Sequence, residues 1–600
     1  MIRLFILFLI TFFSLIENSF SEQSTIHLTP ENKNGTTDNP VINDEIIVEE
    51  NGVNVIDIEE GEDVNIFDTN LISEDNELIS NENNINNSLN SLSNIWKDSN
   101  KKNINFLFEK LSRNLSSPII KLNLINALVY GNIPPSDMTQ SEFDKLRIIT
   151  LKNLGDIDSA IIVISNIDTY ESNKDLYDKI ILEKSLSDYN IAAVCGILDS
   201  NSNFNNDSFL LKTKIFCSIL NGDLETADFL NSLLIEEDYD EFFQILFNKL
   251  IDVDKSENNY DIKNYKYDID SISLYSAIMR STDTPFSEDF FKLNSPQLLK
   301  AIAISPVTDI SIRLEAAQKA FYYNSLNAES IAALYQSVDF SSEELNNPNS
   351  TIKNSYINAP EKAMALLFQS SRRQILPISR LEALNNFWIY SKSIGQSSLA
   401  YELSKDLLKS IEPTSELINF AIQTSKAYLS NNNIENSKKW MKLIKVKIDL
   451  EEQKNINKDY LQLVFLMNLK EGKYEIEDSM SDILFNNLDI KNEEINNLEL
   501  YLTTLDFIGF KFPISLWEIT SKKIKDDRKV PSIYVMKLME QASSNNSLGE
   551  LLLSIAVSME ENNWSEIHPQ HVTTIFKSLN NIKEDQMIKD LALEILENIG

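Results

Sequence analysis

Glycine and proline, the residues that turn corners, are scarce in this chain: 12 and 15 among 600 residues, about 4.5% where about 12% is ordinary. β-Sandwiches, propellers and dinucleotide-binding folds of this size draw on both for tight turns and for backbone at φ > 0. Long helices need few. An apolar share of 42%, with 30 Phe and 20 Tyr, is enough for a large core, and the length exceeds what one core ordinarily serves. The expectation is helical and modular, either several units or one long stack.

From Ser93 onward apolar residues recur with a period of 3.6. After Asp309, a natural N-cap, Ile310, Leu314, Ala317 and Phe321 fall on one helical stripe. Similar stretches run over 207–220, 224–234, 381–391, 399–408, 417–429, 436–448 and 590–598, joined by short polar connections that favour antiparallel neighbours. Three connections share a device: Gly155, Gly222 and Gly395 each stand five residues before an alanine, Ala160, Ala227 and Ala400. Glycine can end one helix in the left-handed region, a polar residue can cap the next, and the small alanine lets the two approach closely. Asn432 with Ser437 is a degenerate copy, Gly472 begins another turn, and Arg313-Leu314-Glu315-Ala316 recurs as Arg380-Leu381-Glu382-Ala383. The fold expected is all-α: an irregular α-solenoid of antiparallel helix hairpins, like tetratricopeptide repeats in its turns but without their full Trp-Leu-Gly-Tyr pattern.

The N-terminus reads as an address. Arg3 precedes an apolar run from Leu4 to Ile16, and Ser19-Phe20-Ser21 offers small residues for cleavage, so residues 1–21 are expected to be a signal peptide. Residues 22–95 carry 17 acidic side chains and one basic one, Lys33, without helical periodicity. They are expected to form a disordered, Asn-rich acidic tether, or alternatively a docking motif that orders on a partner. Helical repeats should then fill 96–255 and 270–600. The net charge of −36 argues against nucleic acid or an anionic bilayer as partner, because phosphate would be repelled. No later segment is long and apolar enough for stable membrane insertion. The expected location is periplasmic or secreted.

Chemistry-bearing residues are few. Cys195 and Cys217 are the two cysteines, and in an oxidising compartment they could be bridged; two small core residues on facing helices fit the spacing equally. His27, His568 and His571 are the three imidazoles, and Ser-His hydrolysis would require one of the last two to meet a distant nucleophile, with no Gly-x-Ser-x-Gly elbow present. His568-Pro569-Gln570-His571 lacks the context of a metal motif and suits a loop entering a helix. Asp254 to Tyr265 starts like a calcium loop but has Asn259 where glycine is needed. Glu171-Ser172 and Glu329-Ser330 share a dipeptide with lytic transglycosylases, without the glycine-containing segment that follows there. Trp96, Trp388, Trp440, Trp517 and Trp564 could anchor a partner, and Phe387-Trp388-Ile389-Tyr390 fits a core better. No catalytic residue, cofactor or metal site is expected.

Residues 95–600 resemble a family of uncharacterised secreted alphaproteobacterial proteins, some labelled antifreeze glycopeptide polyprotein. The segments that carry the resemblance are Ile95-Trp96, Leu154-Gly155-Asp156, Ile215 to Asp223 with Leu233-Leu234, Ala301-Ile302-Ala303, Ile312 to Ala317, Leu334-Tyr335 and Leu591 to Glu594. The resemblance implies an exported helical protein and transfers no site residue. The function expected is a non-catalytic scaffold for an envelope or periplasmic protein. An envelope enzyme or accessory of cell-wall glycan metabolism, and a purely structural envelope component, are the alternatives.

Overall fold

The computed structural model describes residues 92–200, 207–251, 266–293, 295–323, 325–450, 458–473, 492–521 and 526–599. The signal segment, most of the acidic segment, His27 and the calcium-loop-like stretch lie outside them. Residues Leu92–Gly600 form one unit. The described part is all-α, with 28 α-helices and, among the described residues, no strand beyond an isolated bridge between Lys529 and Ile567.

Sequence neighbours pack as antiparallel hairpins. The closest-packed pairs are Pro296–Ile304 with Ile310–Tyr322, Ala421–Ser430 with Ile434–Leu450, Ser208–Leu220 with Leu224–Glu237, and Pro360–Arg373 with Pro377–Ser393. Helix Ile310–Tyr322 begins as its sequence requires: the Asp309 carboxylate accepts the Ser311 N–H at 2.8 Å, and Leu314 and Ala317 are fully buried. The recurring Arg-Leu-Glu-Ala places equivalent groups, since Arg313 Nε donates to Ala303 O and Arg380 Nε to Gln374 O, each closing off the segment before its own helix.

Corners repeat one geometry. At Gly155 (φ 83°) the Gly155 N–H reaches Lys152 O and the Asp156 N–H reaches Leu151 O, the paired bonds that satisfy the last carbonyls of a helix. Gly222 and Gly395 repeat it, and Ala160, Ala227 and Ala400 sit fully buried where the two helices touch. Ser437 takes the alanine's place after Asn432 and exchanges hydroxyl hydrogen bonds with Ser425. The same corner forms at Tyr189, Asn546 and Lys583, which hold φ of 61°, 56° and 63°. Successive corners from Gly155 through Tyr189 to Gly222, and from Gly395 through Asn432, Gly472, Gly509 and Asn546 to Lys583, lie 33 to 40 residues apart.

The helical segments before residue 252 and after residue 265 lie in one unit, helix Ile272–Ser281 packing on Lys174–Ser187, Ser208–Leu220 and Glu241–Ile251. The stack also closes on itself: Leu548–Met559 packs on Lys101–Lys110 and Pro118–Tyr130, and Asp585–Ile599 also reaches Pro118–Tyr130. At this seam Trp96 is fully buried, its indole N–H donates to Ala127 O at 2.9 Å, and its ring lies where a Cβ on Gly549 would approach within 2.4 Å. Two glutamates from the end of the chain cap helices near its start. Glu550 accepts the Asn100 N–H and the Asn103 amide at 2.9 and 2.8 Å, and Glu594 accepts from Ser117 Oγ, the Ile119 N–H and Trp564 Nε1. Burial holds the Glu550 carboxyl above the usual carboxylate range despite its two donors.

Candidate functional site

The hairpin Ser208–Leu220 and Leu224–Glu237 differs from its neighbours in how much apolar surface it leaves uncovered. Asp207 caps the first helix by accepting the Phe209 N–H at 2.9 Å, and Asp223 caps the second through the Thr226 N–H at 3.1 Å. The hydrogen bonds from Thr226 hold the exposed Asp223 carboxyl below its usual range. Cys217 is joined to Cys195 by a disulfide, with Cα atoms 5.6 Å apart, which ties this hairpin to helix Ile191–Ser200.

Under the hairpin lies a buried charged cluster. Lys212, fully buried, reaches Asp240 at 2.5 Å and Asp268 at 3.0 Å, and the Tyr275 hydroxyl donates to Asp240. Burial and the neighbouring Asp240 push the Tyr275 phenol well up, so it stays a donor. Burial works against the charged Asp268, yet hydrogen bonds from Ser271 and Lys212 bring its carboxyl below the usual range. Lys212, Asp240 and Tyr275 are enclosed and only Asp268, 36% exposed, reaches solvent, so the cluster fixes the Asp240 end of the hairpin.

The second helix turns only Ala227, Asn231 and Leu234 inward, spaced i, i+4, i+7, and Asn231 exchanges two amide hydrogen bonds with Gln244 at 3.0 and 2.7 Å. Its remaining surface mixes exposed apolar and acidic side chains. Phe229 is 63% exposed, Tyr239 62% and Leu224 49%, with Leu220, Leu233 and Ile235 beside them. Glu225, Asp228, Glu236, Glu237 and Asp238 are exposed around this row, and no basic residue occurs between Lys214 and Lys249. Exposed aromatic and aliphatic side chains interspersed with one sign of charge make a candidate protein-binding surface.

The remaining residues singled out in the sequence fall elsewhere. Trp96, Trp388, Trp440 and Trp564 are core, and Trp517 is half-buried in a small satellite cluster. His568 caps helix Pro569–Asn581, its Nδ1 accepting the Gln570 N–H, while its Nε2 lies 3.3 Å from Asp526. His571 Nε2 sits 2.8 Å from Ser558 Oγ, a pairing that nothing in the sequence had suggested. Both side chains are buried, and burial pushes the imidazole down to about 4, so the contact is a neutral one inside the core. Among the described residues no group of three or more His, Cys, Asp or Glu is arranged to hold a metal ion, and no helix is long and apolar enough to cross a membrane. No family model, curated protein or solved structure matches the chain.

Proposed function

We propose that this protein is an exported, non-catalytic α-solenoid scaffold that binds a protein of the periplasm or cell envelope through the outer face of hairpin 208–237. The single observation that carries the reading is the exposure of Leu224, Phe229, Leu233 and Tyr239 among acidic side chains, in a stretch with no lysine or arginine between Lys214 and Lys249. A surface of this chemistry suits a partner with an apolar patch edged by lysine or arginine: the aromatic and leucine anchors supply affinity, and the charges steer the encounter. Export rests on Arg3 with the apolar run from Leu4 to Ile16, supported by a disulfide suited to an oxidising compartment. Membership of the secreted alphaproteobacterial family belongs to the same proposal.

The test is co-purification of the full chain from an envelope fraction, alongside the Phe229→Ala/Leu233→Ala double variant. The wild type should retain one protein at a fixed ratio, and the double variant should bind it on the order of 100-fold more weakly. Raising salt to 1 M, where the Debye length falls to about 3 Å, should slow association. Equal retention by the variant would overturn the reading.

A further inference from the structure

A cavity of about 310 Å3 opens where the Gly155 corner meets helices Lys174–Ser187, Ile272–Ser281 and Pro296–Ile304. Its size is at the small end of ligand pockets, which run roughly 300–1,000 Å3. Three independent features of its wall point to the same chemistry.

One helix begins at this wall without the usual stabilisation: Ser295, at the N-cap position of Pro296–Ile304, makes no side-chain capping bond, and that helix has no acidic residue in its first turn. Its leading N–H groups and the positive end of its dipole are therefore available to an anion. Helix Ile272–Ser281 instead runs on from the short turn Ile269–Ser271, which the Asp268 carboxylate caps. On helix Ile272–Ser281, Ser276 is only 3% exposed and its Oγ has no hydrogen-bond partner; Ser273 Oγ, one turn earlier on the same wall, has none either. A buried hydroxyl left unpaired is destabilising, and a ligand oxygen would relieve it. At the rim, Arg113 is exposed and engaged by no carboxylate among the described residues, while Lys152 is already neutralised by Glu183 at 2.7 Å.

The acids on the wall set the charge limit. Asp270 faces solvent at the cavity, with its side chain 72% exposed, and would repel a doubly charged group. We infer that the cavity is a binding site for a small monoanionic carboxylate. Its oxygens would be held by Ser273 and Ser276 with the amino end of helix Pro296–Ile304, and its charge would be met by Arg113. The carboxylate can come from a free acid or from the end of a short peptide; the site is separate from the hairpin face and stands or falls independently of it.

Calorimetric titration of the full chain with lactate, free alanine, N-acetyl-trialanine and inorganic phosphate tests this. At least one carboxylate should bind, its methyl ester should bind at least ten-fold more weakly, and phosphate should bind more weakly than the carboxylate. Binding by lactate and alanine would assign a free acid, and binding by N-acetyl-trialanine alone would assign a peptide end. Arg113→Ala and Ser276→Ala should each weaken binding about five- to ten-fold, with the Tm of unliganded Ser276→Ala no lower than that of the wild type. The inference is overturned if none of the three carboxylates binds at 10 mM, if phosphate binds best, or if both variants bind as the wild type does.

Discussion

The seam at Trp96 and the outer face of hairpin 208–237 are built from the same kinds of residue and end in opposite states. At the seam an aromatic ring, a glycine and two glutamates are all enclosed: Trp96 lies against Gly549, and Glu550 and Glu594 receive donors from the first helices. On the hairpin, Phe229 and Tyr239 stand in solvent among carboxylates. Both have aromatic rings with glutamates close by, so residue type does not separate them. What separates them is a second helix arriving from far along the chain. The seam has found its partner within the molecule; among the described residues the hairpin face has none.

This contrast orders the expected effects of substitution. Trp96→Ala should be the most damaging, removing about 3–5 kcal/mol in urea unfolding, because it empties a fully enclosed site and removes the indole hydrogen bond to Ala127 O. Replacing both cysteines by alanine should cost about 3 kcal/mol by releasing the loop that the Cys195–Cys217 bridge closes, read from the same unfolding curves.

Acid should weaken the seam's neighbourhood through His571, which packs behind helix Leu548–Met559. Its folded pKa of about 4 lies below the value of 6.5 for a free imidazole, so the unfolded chain takes up the proton first. The contribution is fully present above pH 6.5 and is lost as pH falls through 4, a change of about 3 kcal/mol. Because carboxylates titrate over the same range, the check is the difference in pH dependence between the wild type and His571→Asn, which should lack this component. At the other extreme, Phe229→Ala/Leu233→Ala should leave unfolding within about 1 kcal/mol of wild type. A large destabilisation there would mean that the hairpin face is covered within the molecule, and the comparison would collapse.

Much of the fold could be read from the sequence because it is local. The scarcity of glycine, the stripe from Ile310 to Phe321, and the pairing of Gly155, Gly222 and Gly395 with alanines five residues on are short-range signals, and each corresponds to a helix or a corner. The corners at Tyr189, Asn546 and Lys583 gave no such signal. A residue with a Cβ can hold the left-handed conformation at a cost that surrounding packing offsets, so the repeat continues without its glycine. The closure of the stack was not legible either, since Trp96 and Gly549 stand far apart in sequence, and Glu550 and Glu594 read as ordinary surface carboxylates. For the hairpin, the apolar pattern of 224–234 indicated a helix but not its exposure. That depends on which neighbours are missing, and no periodicity encodes it.

The most direct test of the central claim is photo-crosslinking from a single introduced group in the full chain, in its own cellular compartment. One group replaces Ser232, exposed beside Phe229 and Leu233, and the control replaces Asn354 on helix Pro348–Ser355. The account expects one crosslinked protein at Ser232, lost when Phe229 is truncated to alanine, and none at Asn354. Equal products at both positions, or none at Ser232, would contradict it.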